Sequence, residues 1–226
     1  MQSYKPALVF ALAAFVLSGC TSAPSSVPTT APPTADAPAP DTVVAALVIS
    51  GSGVSTANAN GAPIKTQPYS AGSSAMVSFL TDALGGAPKT AAVANPECLK
   101  PSSLDYWGER NQGLEVRIPK TPTPPLFDWV VVARGAVIGD VAIRSSEGFA
   151  IGDDTKSIVA GLPESQKVGL HDPVPESSGN TSRFVFDLTK SLTVDGKTVA
   201  YGAAALSDGD SAAVIVAPAD ANRFGC

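Results

Sequence analysis

The groups in this chain that could do chemistry are few: a carboxylate pair, one histidine, two Asp-rich turns, and an aromatic pair beside an arginine. Glu109 and Glu115 would serve a glycan hydrolase only if the fold set them facing one another across a cleft, one as acid and the other as base or nucleophile. The single histidine, His171, lies in Leu170-His171-Asp172-Pro173, where the proline after the aspartate places it in a turn. A Ser-His-Asp triad would have to use it, yet the chain has no Gly-x-Ser-x-Gly elbow, and Gly51-Ser52-Gly53 has the composition of a hairpin-like turn. His171 therefore reads as a solvated loop residue. One histidine and no Cys-x-x-Cys leave no zinc or iron ligand set. Asp208-Gly209-Asp210-Ser211 and Asp153-Asp154 carry oxygen ligands of the kind calcium takes, but neither runs into a calcium loop closed by glutamate, so turn and helix-cap duty is expected of both. Gly85-Gly86 follows a helix instead of opening one and makes no phosphate loop. No catalytic constellation, metal or cofactor is implied.

The remaining candidate is Asp105-Tyr106-Trp107-Gly108-Glu109-Arg110-Asn111, which reads as a polar loop displaying two aromatics. Tyr, Trp and Arg in a polar frame anchor partner proteins, and aromatic rings also stack on sugars. Tyr106, Trp107 and Arg110 are the partner-binding candidates. The competing reading turns Trp107 inward as a cap on the core.

The elements that must position these groups are short and β-rich. Val43–Ile49 and Val54–Ala57 read as strands, and Asn60-Gly61 is the dipeptide of a type I′ hairpin, which needs two positive φ values. A helix follows, opened by Ser73 or Ser74, with Val77, Leu80, Thr81 and Leu84 at helical spacing and Gly85-Gly86 and Pro88 as its stop. Its apolar stripe must lie on a sheet. Leu114, Val116 and Ile118 alternate with Glu115 and Arg117 as in a half-buried strand, and Trp129–Ala133 is a continuous apolar run suited to a central one. Arg134-Gly135 turns that run into Ala136–Ile143. A second helix starts from Asp153 or Asp154 with Ile158, Val159 and Leu162. Phe184, Phe186 and Leu188 alternate next, Asp195-Gly196 makes a hairpin, and Ser211–Ala217 closes the sheet. The plan is α+β: antiparallel sheets with one short helix per unit. Sliding the first helix by about 82 positions lays Met76, Val77 and Leu80 on Ile158, Val159 and Leu162, which suggests two tandem repeats.

Ahead of these elements, the chain begins with Lys5 and an apolar run from Ala7 to Leu17. At about 11 residues it is too short for a bilayer that takes roughly 20 in a helix, so it reads as a secretory signal. Leu17-Ser18-Gly19-Cys20 closes the run and resembles the lipobox of bacterial lipoproteins. That resemblance implies that Cys20 carries a diacylglyceryl group and further acylation of the palmitate kind, and that the mature protein sits on the extracytoplasmic face of the cell membrane. Two acyl chains hold a protein stably where one binds only marginally. From Thr21 to Pro40 the sequence is Thr, Ser, Ala and Pro, which buries no core and favours an extended stalk; about 20 residues at about 3.1 Å each reach roughly 60 Å. With Cys20 acylated, Cys98 and Cys226 are left in a compartment that permits a disulfide, and a loop of about 130 residues closed between them would constrain the unfolded chain by on the order of 5 kcal/mol.

The expected organisation is a signal peptide at 1–19, a lipidated Pro/Ala/Thr-rich linker at 20–42, and α+β units at 43–135 and 136–226, which either stand apart or form one continuous domain. Fifteen basic and 20 acidic residues give a net charge of -5. The basic ones are scattered singly, which argues against nucleic acid and against a polybasic membrane patch. The motif Gly72-Ser73-Ser74-Ala75-Met76-Val77 with Leu84-Gly85, repeated in reduced form at Ile151-Gly152-Asp153-Asp154 with Leu162-Pro163, resembles the tandem α+β modules of the β-lactamase inhibitory protein and BamE-like lipoprotein kind. Those modules bind other proteins through an open sheet face. Leader, stalk and closing cysteine also resemble cell-surface lipoproteins of actinobacterial type, a comparison that brings no function with it. The function expected is a non-catalytic binding module for an extracytoplasmic protein or wall polymer. The alternatives are a wall-glycan hydrolase using carboxylates and an envelope assembly lipoprotein.

Overall fold

Alternating apolar residues and glycine turns fold this chain into strands that must bury one face, and a computed structural model shows how they do so. It describes residues 42–93, 102–119, 129–164, 183–194, 196–208 and 211–220. In chain order the elements are β1 (Ala46–Ile49), β2 (Gly53–Ala57), β3 (Pro63–Pro68), α1 (Ser73–Leu84), β4 (Lys89–Val93), β5 (Ser102–Trp107), β6 (Leu114–Pro119), β7 (Val130–Ala133), β8 (Val137–Ile138), β9 (Val141–Ser145), α2 (Thr155–Gly161), β10 (Arg183–Val194), β11 (Lys197–Asp208) and β12 (Ser211–Asp220). The fold is α+β and strand-rich, with sheets that are antiparallel throughout except for the parallel pair β1–β9. The leader, the linker up to position 41, Cys20, Cys98, His171 and Cys226 lie outside the described residues.

Five strands form one sheet in the order β3-β2-β1-β9-β8, and seven form the other in the order β10-β11-β12-β7-β6-β5-β4. Both sheets take strands from either side of position 135, through β1–β9 in the first and β7–β12 in the second. The larger sheet consists of two antiparallel meanders, β4-β5-β6-β7 and β12-β11-β10, joined edge to edge at Val131↔Ala217 and Ala133↔Ile215. The apolar run at 129–133 is thus central, as its lack of alternation requires for a strand buried on both faces.

One core unites these parts. Leu47, Ile49 and Val54 of the smaller sheet, Met76 and Leu80 of α1, and Leu114, Val116, Val131, Phe186 and Ile215 of the larger sheet are buried together. Helix α1 ends as its glycine demands: Gly85 adopts a left-handed conformation (φ 69°) and its N–H closes on the Thr81 carbonyl. Its start differs from expectation, because Gly72 is the cap residue and no serine hydroxyl bonds the first turn. Helix α2 opens as expected of an Asp cap, the Asp154 carboxylate accepting the Ser157 N–H at 2.7 Å. The expected strand at 136–143 is a hairpin, since Gly139 (φ 57°) breaks it into β8 and β9. The expected aromatic loop at 105–111 begins as strand: β5 pairs with β4 and β6 as far as Trp107, and the residues after it turn.

The β1–β2 turn docks on a bulge of β10. The Asp187 carboxylate accepts the Gly51 N–H at 2.8 Å, and the buried Tyr69 hydroxyl donates to the Ser50 carbonyl at 2.9 Å. Asp187 itself has φ 51° at the register shift between Phe186 and Lys190. Only glycine fits opposite it, because a Cβ on Gly51 would strike the Asp187 carbonyl and one on Gly202 would lie 2.8 Å from it.

Candidate functional site

Along β6 the residues Leu114, Val116 and Ile118 turn to the core, so Glu115 and Arg117 share the opposite face. Strand register extends that face in a row: Lys89, Tyr106, Glu115, Val132, Val216 and Ala204 are successive cross-strand neighbours on β4, β5, β6, β7, β12 and β11. The row changes character at its middle. Val132 packs with Val214 and Val216 in a small apolar cluster, whereas Lys89 sets its ammonium 5.8 Å from the centre of the Tyr106 ring.

Glu115 stands at the change. Its side chain is 0% exposed, yet it carries a carboxylate, and burial of a charge requires partners. Arg117 supplies them, Nε at 2.8 Å and Nη2 at 2.7 Å, both on Oε2. The Asn111 N–H reaches Oε1 at 3.3 Å, from a turn in which Asn111 adopts φ 66°. The carboxylate is thus held on both oxygens and compensated by one guanidinium.

A second guanidinium belongs to the same face, because Arg134 lies two positions past Val132, the cross-strand neighbour of Glu115. Arg134 follows Ala133 at the end of β7, anchored by its N–H to the Gly113 carbonyl at 2.8 Å. Its Nε is buried and has no hydrogen-bond partner among the described residues, where the only other such side-chain atom is Thr155 Oγ1. Burial first, and then the positive charge of Arg117, lower the Arg134 pKa, while Glu115 acts in the opposite direction. Two cations therefore neighbour one anion, which accepts its hydrogen bonds from Arg117 and the Asn111 N–H.

Of the partner-binding candidates, the structure keeps two on the surface. Tyr106 is half-buried beside Lys89, and Arg110 is exposed in the turn after β5. Trp107 is corrected: it is 5% exposed and its indole N–H donates to the Gly86 carbonyl at 2.9 Å, closing the chain that leaves α1. It alternates with Tyr106 and so faces the core, which the polar neighbours in sequence conceal. The carboxylates are not brought together as a facing pair. Glu109 is 82% exposed at 3.9 Å from Lys89, while Glu115 is enclosed in the grip of Arg117. Asp153 serves the turn before α2, accepting the Ala150 N–H at 2.8 Å.

Arg117 and Arg134 are the residues that sequence reasoning missed. The alternation of Leu114 to Ile118 was a signal for the Glu115–Arg117 pair, since positions two apart on a strand share a face. Arg134 offered none, being read as part of a turn. Compared with known proteins, the chain matches no family model, no curated protein and no solved structure.

Proposed function

We propose that this chain is a lipoprotein anchored through Cys20 on the extracytoplasmic face of the membrane, and that its folded body is a non-catalytic binding module for a protein or cell-wall component. The observation that carries the reading is Leu17-Ser18-Gly19-Cys20 at the end of a short apolar run, followed at once by the Pro/Ala/Thr stalk. A stalk separates a body from the surface that holds it, and such a body meets ligands of the exterior. The larger sheet supports the binding part of the reading, because Tyr106 and Lys89 lie beside the exposed Arg110 turn, and two strands away Arg134 has a buried Nε without a hydrogen-bond partner among the described residues. The two glutamates considered for a hydrolase have environments that favour structural and surface roles.

Labelling with palmitate tests the anchor: the wild-type protein takes up label and fractionates with membranes, and Cys20→Ser is released without label. Capture of envelope proteins or wall fragments by the lipidated full-length protein tests the module. Tyr106→Ala is expected to weaken capture about tenfold, the loss of roughly 1.4 kcal/mol at an aromatic anchor. Unchanged capture removes Tyr106 from the binding surface.

A further inference from the structure

Among the described residues the charge around Glu115 is not balanced, and the partner that would balance it has a definite chemistry. Glu115 brings one negative charge and Arg117 and Arg134 bring two positive ones. Both oxygens of Glu115 are engaged by Arg117 and the Asn111 N–H. Arg134 makes no side-chain hydrogen bond or ion pair among the described residues, although its Nε is buried. An unmade bond at a buried charged donor costs more than one at a neutral donor, so folds retain such a group where something else supplies the acceptor. Arg134 is partly exposed and the Arg117 side chain is 19% exposed, so solvent reaches both arginines that flank Glu115, a place we call the notch.

We infer that Arg134, on the same sheet face as Glu115 and diagonal to it across the β6–β7 pair, binds a singly charged oxyanion: a carboxylate or a phosphodiester, each of which presents two acceptor oxygens to a planar guanidinium. This deepens the binding-module reading and rests on it, naming the group on the ligand that the larger sheet receives. The guanidinium fork matches two oxygens in one plane, a geometry open to Arg134 because Arg117 spends its Nε and Nη2 on Glu115 Oε2. The chain as a whole carries a net charge of -5, so attraction of an anion is local to this notch and not a property of the surface at large. Glu115 sets the selectivity: it keeps Arg117 occupied and leaves one guanidinium for one negative charge.

The test is thermal unfolding of the full mature protein titrated with sodium propionate and with dimethyl phosphate, against sodium chloride at equal ionic strength. A ligand that binds only the folded state raises Tm, by about 5 °C at a hundredfold excess over Kd for a chain of this size. The expected result is a saturable rise with at least one of the two anions, absent in chloride and abolished in Arg134→Gln. The tighter of the two identifies the source of the group as a carboxylate or a phosphodiester. Arg134→Lys is expected to retain the charge and weaken binding about tenfold, because an ammonium lacks the planar fork. A response to both anions no larger than to chloride, or a full response in folded Arg134→Gln, overturns the inference. If the anion response fails while Tyr106→Ala still weakens partner capture, the notch is lost and the binding module stands.

Discussion

Two buried polar clusters in this molecule are built on opposite principles. At the junction of the sheets, Asp187 accepts the Gly51 N–H, Tyr69 donates to Ser50, and two glycines give the room for backbone to meet backbone. At the notch, one carboxylate has a guanidinium on either side along the sheet face, and among the described residues the buried Nε of Arg134 goes without a hydrogen-bond partner. The first cluster is closed and holds the fold. The second has its structural pair, Glu115 and Arg117, and one group beyond what the pair requires. The difference teaches where to seek function in a chain without catalytic motifs: satisfied polar groups mark architecture, and an unsatisfied one marks a place for a ligand.

The sharpest way to break this comparison is Glu115→Gln, which leaves two guanidiniums with no counter-charge. Removing one member of a buried pair typically costs about 3 kcal/mol, read as a lower urea midpoint with unchanged slope. Next is Gly202→Ala at the closed junction, where a Cβ would lie 2.5 Å from the Phe186 carbonyl oxygen. Overpacking of this kind costs about 2 kcal/mol in the same measurement.

Tyr69→Phe sharpens the contrast with a smaller effect of about 1 kcal/mol at neutral pH, the net worth of its bond to Ser50. Burial, and then the charge of Asp187, hold the Tyr69 hydroxyl well above its ordinary value of 10.0. A folded-state value above the unfolded one contributes stability that is complete below pH 10 and declines as pH rises beyond it, because only the unfolded chain then releases the proton. Wild-type stability should fall above that pH more steeply than that of Tyr69→Phe, as followed by urea unfolding across an alkaline series.

Asp154→Ala should act locally and more weakly, raising amide exchange over α2. Its hydrogen bonds to Ser157 lower the carboxyl pKa from 3.8, so the cap is complete above that pH and is lost on acidification below it. Smallest of all is Arg134→Gln, expected to shift stability in the absence of anions by no more than about 0.5 kcal/mol, in either direction, because it removes a group that makes no bond. If it instead destabilised the fold as much as Glu115→Gln, the notch would be a structural cluster like the junction.

Much of the plan was legible in local pattern. The α1 stop at Gly85, the Asp154 cap, the alternation of Leu114 to Ile118 and the central run at 129–133 each follow from backbone and side-chain preferences within a few residues. The inward turn of Trp107 was one of two readings the sequence offered, but its place on a strand and its bond to Gly86 were not legible, because its polar neighbours describe a loop while its partners come from elsewhere in the chain. Nor was the pairing of β1 with β9, nearly a hundred positions apart, since a strand carries no record of which edge it joins.

What the sequence by itself determined is the sparse and acidic charge and the α+β alternation of short strands with two capped or glycine-stopped helices. These depend on composition and near neighbours. The tertiary structure alone decided that both sheets mix strands from the two halves, that Tyr106 and Trp107 part to opposite faces, and that Arg117 and Arg134 neighbour one carboxylate. Those outcomes depend on register and strand order, where burial of the common core selects among pairings that local preference leaves equal.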